Sequence, residues 1–268
     1  MSEGDYVLGT RDDEVERLGL QHRVWRGRVL EGWRRTGIAP GMTVIDVGAG
    51  PGFAATDLAG IVGPTGRVIA LERSTHFLTA LRARAGRLGL ANIDPVDHDV
   101  SASPFPVAGA DASWCRWLLS FVADPAATIA HIATSLKSGG IALFHEYADY
   151  ATWRLMPPDP LHERFRTLVM QSWRDAGGEP DIALAMPRWL ADNGLEIIAA
   201  RVLGEIVAPT DFSWQWPRAF MATNAVRLNE LGYIGEEEVS PMAELLDRVD
   251  PTARMMTPLV AEFICRKR

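Results

Sequence analysis

Three glycines and an acid lie close together between Val44 and Gly52, in the segment Val-Ile-Asp-Val-Gly-Ala-Gly-Pro-Gly. The apolar, β-branched start of this segment is typical of a buried strand, and the glycines predict a tight turn directly after it. Glycine adopts backbone conformations closed to other residues and leaves no side chain between the main chain and a ligand. The segment therefore predicts a nucleotide-binding turn at the end of a strand.

The turn does not match the two common phosphate-binding patterns. The dinucleotide pattern G-x-G-x-x-G requires glycine at position 53, where the chain has Phe53. A P-loop requires Lys followed by Ser or Thr at the end of a longer loop, and this segment has neither. Pro51 also removes one amide N–H from the turn that would surround an anion. The loop is therefore poorly suited to pyrophosphate.

The pattern D-x-G-x-G-x-G from Asp46 to Gly52 resembles motif I of the class I S-adenosylmethionine-dependent methyltransferases. The ligand of that family carries no phosphate, which agrees with the poor fit to pyrophosphate. The resemblance implies S-adenosyl-L-methionine as the cofactor. A carboxylate at Asp46 suits this ligand, because a negative charge close to a sulfonium and an α-ammonium group is electrostatically favourable.

Two further acids follow the next predicted strands. Glu72 ends the strand from Arg67 to Leu71, and Asp99 follows a short strand near Pro95 to His98. Ligands of doubly wound sheets bind beyond the carboxyl ends of the strands. Glu72 can there accept hydrogen bonds from both ribose hydroxyls, and Asp99 can accept one from the adenine amino group. The alternatives are a solvated loop acid and a turn or helix cap, respectively.

The chain resembles most specifically the methyltransferases of ubiquinone and menaquinone biosynthesis. This resemblance covers roughly residues 20 to 147 and, more loosely, 187 to 203. It departs from that group at Ala110, where an aromatic residue is common, and at Ser138, which replaces a proline. The matching segments are Gln21-His22-x-x-Trp25, Ile38 to Met42, Asp99-Val100, Pro104-Phe105-Pro106, Asp111, Trp114 to Leu119, Asp124-Pro125 and Leu136 to Gly140.

The resemblance also implies where the cofactor lies. For Gln21 and Trp25, which would close over the methionine end, a packed helix face is the alternative. The full set of predicted cofactor contacts is Gln21, Trp25, Asp46, Gly48, Ala49, Gly50, Gly52, Glu72, Arg73, Asp99, Val100, Cys115 and Arg116.

Methyl transfer from a sulfonium is expected to proceed by in-line attack, for which the protein supplies orientation and a water-poor site. A base is needed only where the acceptor loses a proton. The candidate catalytic residues by position are His145, Tyr147 and His22, although a histidine at a strand end is often structural. Strand alternation places Glu146 on the opposite face from His145.

Six of the nine tryptophans lie outside the nucleotide-binding strands, namely Trp25, Trp33, Trp153, Trp173, Trp214 and Trp216. Aromatic rings suit a flat, apolar acceptor because they stack and bury a large area. The alternative is that they form the core of a lid or a dimer contact. The predicted acceptor-binding residues are Trp117, Tyr147, Trp153, Trp173 and Trp214.

Short apolar strands alternate with helices from Val44 to Cys115, which is typical of an α/β fold with a parallel sheet. The resemblance implies a Rossmann-like, doubly wound, seven-stranded sheet of order 3-2-1-4-5-7-6, whose last strand is antiparallel. We predict an N-terminal helical segment over the cofactor (1–40), a cofactor-binding core (41–147, 186–208 and 256–268) and a helical lid (148–185 and 209–255). The two lid segments follow strands five and six.

The composition narrows the remaining possibilities. A net charge of −7 over 268 residues disfavours a nucleic-acid partner. The start of the chain lacks a signal peptide and no run is long enough to span a membrane, so we expect a cytoplasmic protein without a membrane partner. The two cysteines and six histidines have no metal-ligand spacing, so no metal is implied.

The sequence therefore predicts a methyltransferase for a small-molecule acceptor, with O- or C-methylation favoured, and a possible homodimer. Three alternatives stay open. The first is a relative that binds S-adenosylmethionine but catalyses other chemistry, such as ring closure. The second is a non-catalytic partner that retains the fold, and the third is an NAD-dependent oxidoreductase, which Phe53 disfavours.

Overall fold

The computed structural model of this protein describes residues 12–268, so the first part of the predicted N-terminal segment lies outside the described residues. The helices are α1 (Asp12–Thr36), α2 (Phe53–Val62), α3 (Thr75–Arg87), α4 (Pro125–Ser135), α5 (Pro160–Asp175), α6 (Met186–Asp192), α7 (Gln215–Glu230) and α8 (Glu236–Ala243). The strands are β1 (Thr43–Val47), β2 (Arg67–Glu72), β3 (Ile93–Asp97), β4 (Ala110–Arg116), β5 (Leu136–Asp149), β6 (Arg154–Met156), β7 (Leu195–Leu203), β8 (Ile206–Val207), β9 (Arg254–Met256) and β10 (Leu259–Lys267).

The main sheet has seven strands in the order β3-β2-β1-β4-β5-β10-β7. Strands β1 to β5 pair in parallel, and β10 runs antiparallel to both β5 and β7. This is the predicted order with its antiparallel last strand, so the predicted fold class is confirmed. Strand β1 is buried from Val44 onward, as expected for a central parallel strand covered on both faces.

Helices cover both faces of the sheet. Val44 points to the face covered by α1, α2 and α3, whereas Ile45 points to the face covered by α4 and α6. Because successive strand residues alternate between faces, every apolar residue of β1 is buried by one layer or the other. This arrangement places the carboxyl ends of β1, β2 and β4 at one edge, where the glycine turn begins.

The predicted lid segments contain α5, α7 and α8. A small three-stranded sheet of order β6-β9-β8 joins them to the predicted core segment 186–208, which contains β8. The sequence did not predict this small sheet, because strands of two or three residues show no measurable alternation. The apolar run from Ile141 to His145 predicts strand five, and the observed β5 is longer at both ends, from Leu136 to Asp149. Its far end is held by the antiparallel pairing of Asp149 with Leu259 of β10. The division into core and lid stays a prediction.

Aromatic side chains form much of the lid interior. The Trp153 ring lies 5.9 Å from Phe165 and 5.8 Å from Phe220, measured between centroids, and both pairs meet edge to face. Helix α7 also packs against α1, where the ring nitrogen of Trp216 donates to the side-chain oxygen of Gln21 at 3.0 Å. The lid is therefore joined to the helix that was predicted to cover the cofactor.

Within residues 12–268, no helix is both long and apolar enough to cross a bilayer. The same part of the chain contains no cluster of three or more His, Cys, Asp or Glu side chains arranged to hold a metal. Cys115 and Cys265 are buried, free thiols.

Candidate functional site

A cavity of about 250 Å³ lies at the carboxyl ends of β1, β2 and β4, where the sequence predicted ligand binding. Three of the predicted cofactor residues, Trp25, Gly52 and Cys115, do not line it. The predicted residues that do line it are Gln21, Asp46, Gly48, Ala49, Gly50, Glu72, Arg73, Asp99, Val100, Arg116 and Trp117.

The glycine turn requires glycine at Gly48 for two reasons. Its φ of 70° is in the left-handed region, and a Cβ added there would lie 2.7 Å from Cδ1 of Leu118. The Gly48 amide donates to the carbonyl oxygen of Leu71 at 3.0 Å, which ties the turn to the end of β2. The main chain is therefore exposed to the cavity without an intervening side chain.

Glu72 holds the turn from the other side. One carboxylate oxygen accepts from the Gly50 amide at 2.9 Å, and the other accepts from the Ser74 amide at 2.8 Å. Burial raises the pKa of Glu72, and the backbone donors oppose that rise. Glu72 thus positions the loop and also presents a carboxylate to the cavity, while its contact with a ribose stays a prediction.

Asp46 and Arg116 line the same end of the cavity with opposite charges. Asp46 is only 2% exposed, and burial raises its pKa to about 7, although Arg116 lowers it. Burial likewise lowers the pKa of Arg116 to about 10. Within residues 12–268, Oδ2 of Asp46 and Nη1 of Arg116 are buried without a hydrogen-bond partner. Such atoms normally have partners, so this pair fits a ligand with one ammonium and one carboxylate group.

His22 positions Arg116 rather than facing the cavity. Nδ1 of His22 lies 3.4 Å from Nη2 of Arg116, and Nε2 lies 3.2 Å from Oδ2 of Asp57. Arginine can only donate, so Nδ1 accepts and Nε2 carries the proton. Burial lowers the pKa of His22, which favours this neutral form. His22 does not line the cavity, and its predicted catalytic role stays a prediction.

The amide of Gln21 has a fixed orientation. Its Oε1 accepts from Nη1 of Arg17 at 2.9 Å and from Nε1 of Trp216 at 3.0 Å. Both partners are donors only, so the amide oxygen is identified by its neighbours. Because Gln21 lines the cavity, its NH₂ group is the end available to a ligand.

Asp99 lies on the cavity wall and also caps a turn. Its Oδ1 accepts from the amide of Ser101 at 3.0 Å and from the hydroxyl of Ser101 at 2.8 Å. The other oxygen, Oδ2, lies 3.6 Å from Nη1 of Arg73. The turn-cap interpretation of Asp99 therefore holds, and a bond from Oδ2 to an adenine amino group stays a prediction.

The other two predicted catalytic residues lie behind the cavity wall. His145 is completely buried, and its Nε2 lies 2.8 Å from Oε2 of Glu262. Although burial alone would raise it, hydrogen bonds from His145 and Arg201 lower the pKa of Glu262 to about 2. Tyr147 is 5% exposed and stacks on Trp117, with ring centroids 5.3 Å apart. Neither His145 nor Tyr147 lines the cavity, so their catalytic roles stay predictions.

The predicted acceptor-binding aromatics are mostly in the lid interior. Trp153, Trp173 and Trp214 are 2% exposed or less and do not line the cavity. Trp117 does line it, stacked between Tyr147 and Trp216. Acceptor binding by these residues stays a prediction.

Several cavity residues were not predicted from the sequence. Phe53, which stands where a dinucleotide pattern would need glycine, lines the cavity. The apolar residues after β4 could have been found from the rule that ligands bind beyond the carboxyl ends of parallel strands, which applies to β4 as it does to β2. The lining residues that were not predicted as site residues are Leu18, Pro51, Phe53, Ala54, Leu71, Ser74, Phe77, His98, Ser101, Trp114, Leu118, Phe121 and Val122.

Comparison with known families finds a match over part of the chain. Residues 45–144 match the family model described as "Methyltransferase domain". The chain is also 31% identical over 131 residues to the ubiquinone/menaquinone biosynthesis C-methyltransferase UbiE of Pseudomonas putida. That alignment covers 48% of this chain and 50% of the relative, so the chain spans about half the length of the curated relatives it matches.

Solved structures share the fold at low identity. The Bacillus halodurans protein BH2331, designated a methyltransferase, has a TM-score of 0.60 and 16% identity, covering 89% of this chain and 98% of its own. The [4+2]-cyclase SpnF has a TM-score of 0.56 and 20% identity, covering 89% of this chain and 80% of its own. At these identities the likeness shows the fold alone.

Part of the chain, residues 45–144, thus matches a methyltransferase domain, and the chain resembles the ubiquinone and menaquinone group, as the sequence predicted. The match also supports the predicted cofactor, S-adenosyl-L-methionine.

Proposed function

We propose that this protein, part of which matches a methyltransferase domain, transfers the methyl group of S-adenosylmethionine to a small apolar or aromatic metabolite. Oxygen or carbon is the favoured methyl acceptor. The observation that carries the proposal is the pair of buried, oppositely charged side chains Asp46 and Arg116, each with an unpartnered atom, beside a glycine turn tied to Glu72. A zwitterionic amino-acid group joined to a nucleoside satisfies both ends of this arrangement.

Each end of the cofactor has a matching group on the cavity wall. Asp46 would pair with its α-ammonium and Arg116 with its α-carboxylate, which are charge-assisted contacts. Glu72 would accept from the ribose hydroxyls, and Asp99 would accept from the adenine amino group. When bound, S-adenosylmethionine supplies an activated methyl group, so the protein has to orient the acceptor and exclude water.

The acceptor is proposed to lie against the apolar residues beside Arg116. Trp117, Leu118, Phe121 and Val122 form this part of the wall. An apolar or aromatic molecule gains most from such a surface. The relative named above is a C-methyltransferase of ubiquinone and menaquinone biosynthesis, which supports an aromatic acceptor and a reactive carbon.

The proposal does not depend on a base. His22, His145 and Tyr147 do not line the cavity. An ionised oxygen, or a ring carbon activated by one, can attack without losing a proton to the protein first. If the acceptor does carry such a proton, these three residues are the proposed candidates to receive it.

The test is product analysis. The purified protein would be incubated with methyl-labelled S-adenosylmethionine and a panel of phenols, hydroquinones and amines of similar size. We expect label in an O- or C-methylated phenol or hydroquinone, together with S-adenosylhomocysteine in equal amount. Conversion of an acceptor with no gain of label and with unconsumed cofactor would instead show non-methylating chemistry. Label only in amines would contradict the proposed atom preference.

A further inference from the structure

One buried acid serves neither the cavity nor the His145–Glu262 pair. Glu146 is completely buried in β5. Phe144 and Ala148, which lie two positions before and after it on the same face of the strand, face the α4 and α6 side of the sheet. Burying a carboxyl group is unfavourable unless donors compensate it. The donors to one of its oxygens, Oε1, therefore indicate what it does, since Oε2 is buried without a hydrogen-bond partner among residues 12–268.

Two of those donors belong to the turn after β4, and the third lies on β4 itself. Oε1 of Glu146 accepts from the amide of Leu118 at 3.0 Å and from the amide of Leu119 at 3.1 Å. The thiol of Cys115 lies 3.7 Å from the same oxygen. Consecutive backbone N–H groups beside a left-handed residue form a concave site that binds anions. Here the chain itself supplies the acidic group, whose pKa burial raises to about 7.

The left-handed residue is Trp117. Its φ of 50° is positive, which no other non-glycine residue within 12–268 shows. A bulky residue keeps such a conformation only when its surroundings impose it. The amide of Trp117 donates to the carbonyl oxygen of His145 at 2.9 Å, and the next two amides donate to Glu146. Strand β5 therefore holds the turn through its backbone and through one side chain.

The turn forms part of the cavity wall. Trp117 is stacked between Tyr147 and Trp216, with interplanar angles of 13° to both. Leu118 packs directly on the glycine turn, because its side chain occupies the space that a Cβ at Gly48 would need. A shift of this turn would therefore change both the aromatic wall and the glycine turn.

We infer that Glu146 is a positioning residue, whose carboxylate takes the place of a bound anion and holds Trp117 and Leu118 against the cavity. It acts through the backbone of the turn and does not line the cavity itself. The part of this inference that concerns S-adenosylmethionine rests on the proposed function.

Three substitutions separate geometry from charge. In Glu146→Gln the amide oxygen can still accept both N–H groups, so we expect affinity for S-adenosylmethionine within about threefold of the parent. Glu146→Asp keeps the charge but is one methylene shorter, so it cannot reach both amides. We expect Glu146→Asp and Glu146→Ala to bind about tenfold more weakly or worse, since each leaves buried donors unpaired.

Glu262→Gln is the matched control. Glu262 is an equally buried acid on the adjacent strand β10, but it bonds side chains rather than the turn. We expect this variant to lower the melting temperature without weakening cofactor binding. Equal losses of affinity in Glu146→Gln and Glu146→Asp, or unchanged affinity in Glu146→Asp, would overturn the inference.

A second readout does not need the cofactor. The stack of Trp117 with Tyr147 and Trp216 is expected to contribute to the near-ultraviolet circular dichroism spectrum. Glu146→Asp should reduce this signal, and the difference should vanish in a Trp117→Phe background. If the parent binds no S-adenosylmethionine, the proposed function fails, whereas the spectrum still tests the position of Trp117. An unchanged spectrum in folded Glu146→Asp would contradict the inference.

Discussion

At the scale of single residues, the site is defined by two buried charged groups, each of which has one polar atom without a hydrogen-bond partner among residues 12–268. Asp46 and Arg116 are buried beside one cavity without a direct ion pair, and burial shifts the pKa of both toward the neutral form. An arrangement of this kind is unfavourable without a ligand, because each group loses water while one of its polar atoms gains no partner. A zwitterionic ligand removes that penalty.

The pH dependence of cofactor binding follows from Asp46. Its pKa of about 7 in the free protein means that binding an ammonium group must release a proton below that pH. We expect the affinity for S-adenosylmethionine to fall about tenfold from about pH 8 to about pH 6. Asp46→Asn should bind weakly at both values, with a much smaller pH dependence. Calorimetry in buffers of different ionisation enthalpy checks the proton release, and a pH-independent parent affinity would contradict this assignment.

The partner of Arg116 can be identified with a truncated ligand. Arg116→Met removes the guanidinium while retaining a long apolar side chain. We expect it to weaken binding of S-adenosylhomocysteine by about tenfold or more, since a buried charge-assisted contact is lost. Binding of 5′-methylthioadenosine, which lacks the amino-acid group, should change much less. Equal losses for both ligands would place Arg116 away from the carboxylate.

At the scale of elements, strand ends and the turns after them determine the cavity. Strand β1 leads into the glycine turn, β2 supplies Glu72 to hold it, and β4 leads into the turn that carries Trp117. Because all three strands are parallel, their carboxyl ends meet at one edge. Substitutions in the turns should therefore affect binding more than substitutions of the same type in the helices.

Gly48 in the glycine turn and Gly60 in α2 test whether substitutions in the turns affect binding more than substitutions in the helices. Gly48→Ala places a Cβ in a left-handed residue and against Leu118, so we expect a loss of roughly 2 kcal/mol or more of unfolding free energy and loss of cofactor binding. Gly60 lies in α2 with no atom within 4 Å of an added Cβ. Gly60→Ala should therefore stabilise the protein by about 0.5–1 kcal/mol and leave binding intact. Thermal unfolding with and without ligand distinguishes these outcomes, and tight binding by Gly48→Ala would refute the required turn geometry.

The buried pair between β5 and β10 predicts an acid-sensitive fold. The pKa of Glu262 is lowered in the folded protein, and burial also lowers the pKa of His145. In both cases the unfolded chain binds more protons, so stability falls as the pH falls. We expect a decline below about pH 6.5 from His145 and a further decline below about pH 4.5 from Glu262.

Removing one member of this pair should lower the free energy of unfolding. Glu262→Ala leaves His145 and Arg201 facing a buried gap, so we expect a loss of roughly 3–5 kcal/mol in unfolding free energy near neutral pH. Denaturant unfolding at several pH values measures both effects. A variant as stable as the parent, with the same pH profile, would show that the pair contributes little to stability.

At the scale of the whole molecule, local sequence patterns predicted the strands and turns that form the cavity. Contacts between segments far apart in the chain determine the features that could not be predicted. The glycine turn, Glu72 and Asp99 follow strands whose apolar runs are visible in the sequence, and all of them lie on one cavity. The sequence could not predict that the His145 side chain points to Glu262 rather than to the cavity, because Glu262 is 117 residues away in the chain. The extension of β5 to Asp149 likewise depends on pairing with Leu259 of β10.

The lid shows the same limit. Its helices were visible as periodic segments, yet the small sheet of β6, β8 and β9 was not. Tryptophan residues in these segments were compatible with either an acceptor surface or a packed interior, and sequence alone could not distinguish the two. Trp153 and Trp173 lie in the interior because α5, α7 and β9 enclose them, and those contacts join segments far apart in the chain.

Isothermal calorimetry with S-adenosylmethionine and S-adenosylhomocysteine tests the central claim most directly, on the parent and on Glu72→Ala and Asp99→Ala. We predict micromolar binding of both ligands by the parent. Glu72→Ala should lose roughly tenfold or more, about 1.4 kcal/mol, because the glycine turn and the ribose site lose the same carboxylate. Asp99→Ala should lose affinity at the adenine end. The absence of binding heat with either ligand, in a folded parent protein at several temperatures, would contradict the assignment of this cavity to S-adenosylmethionine.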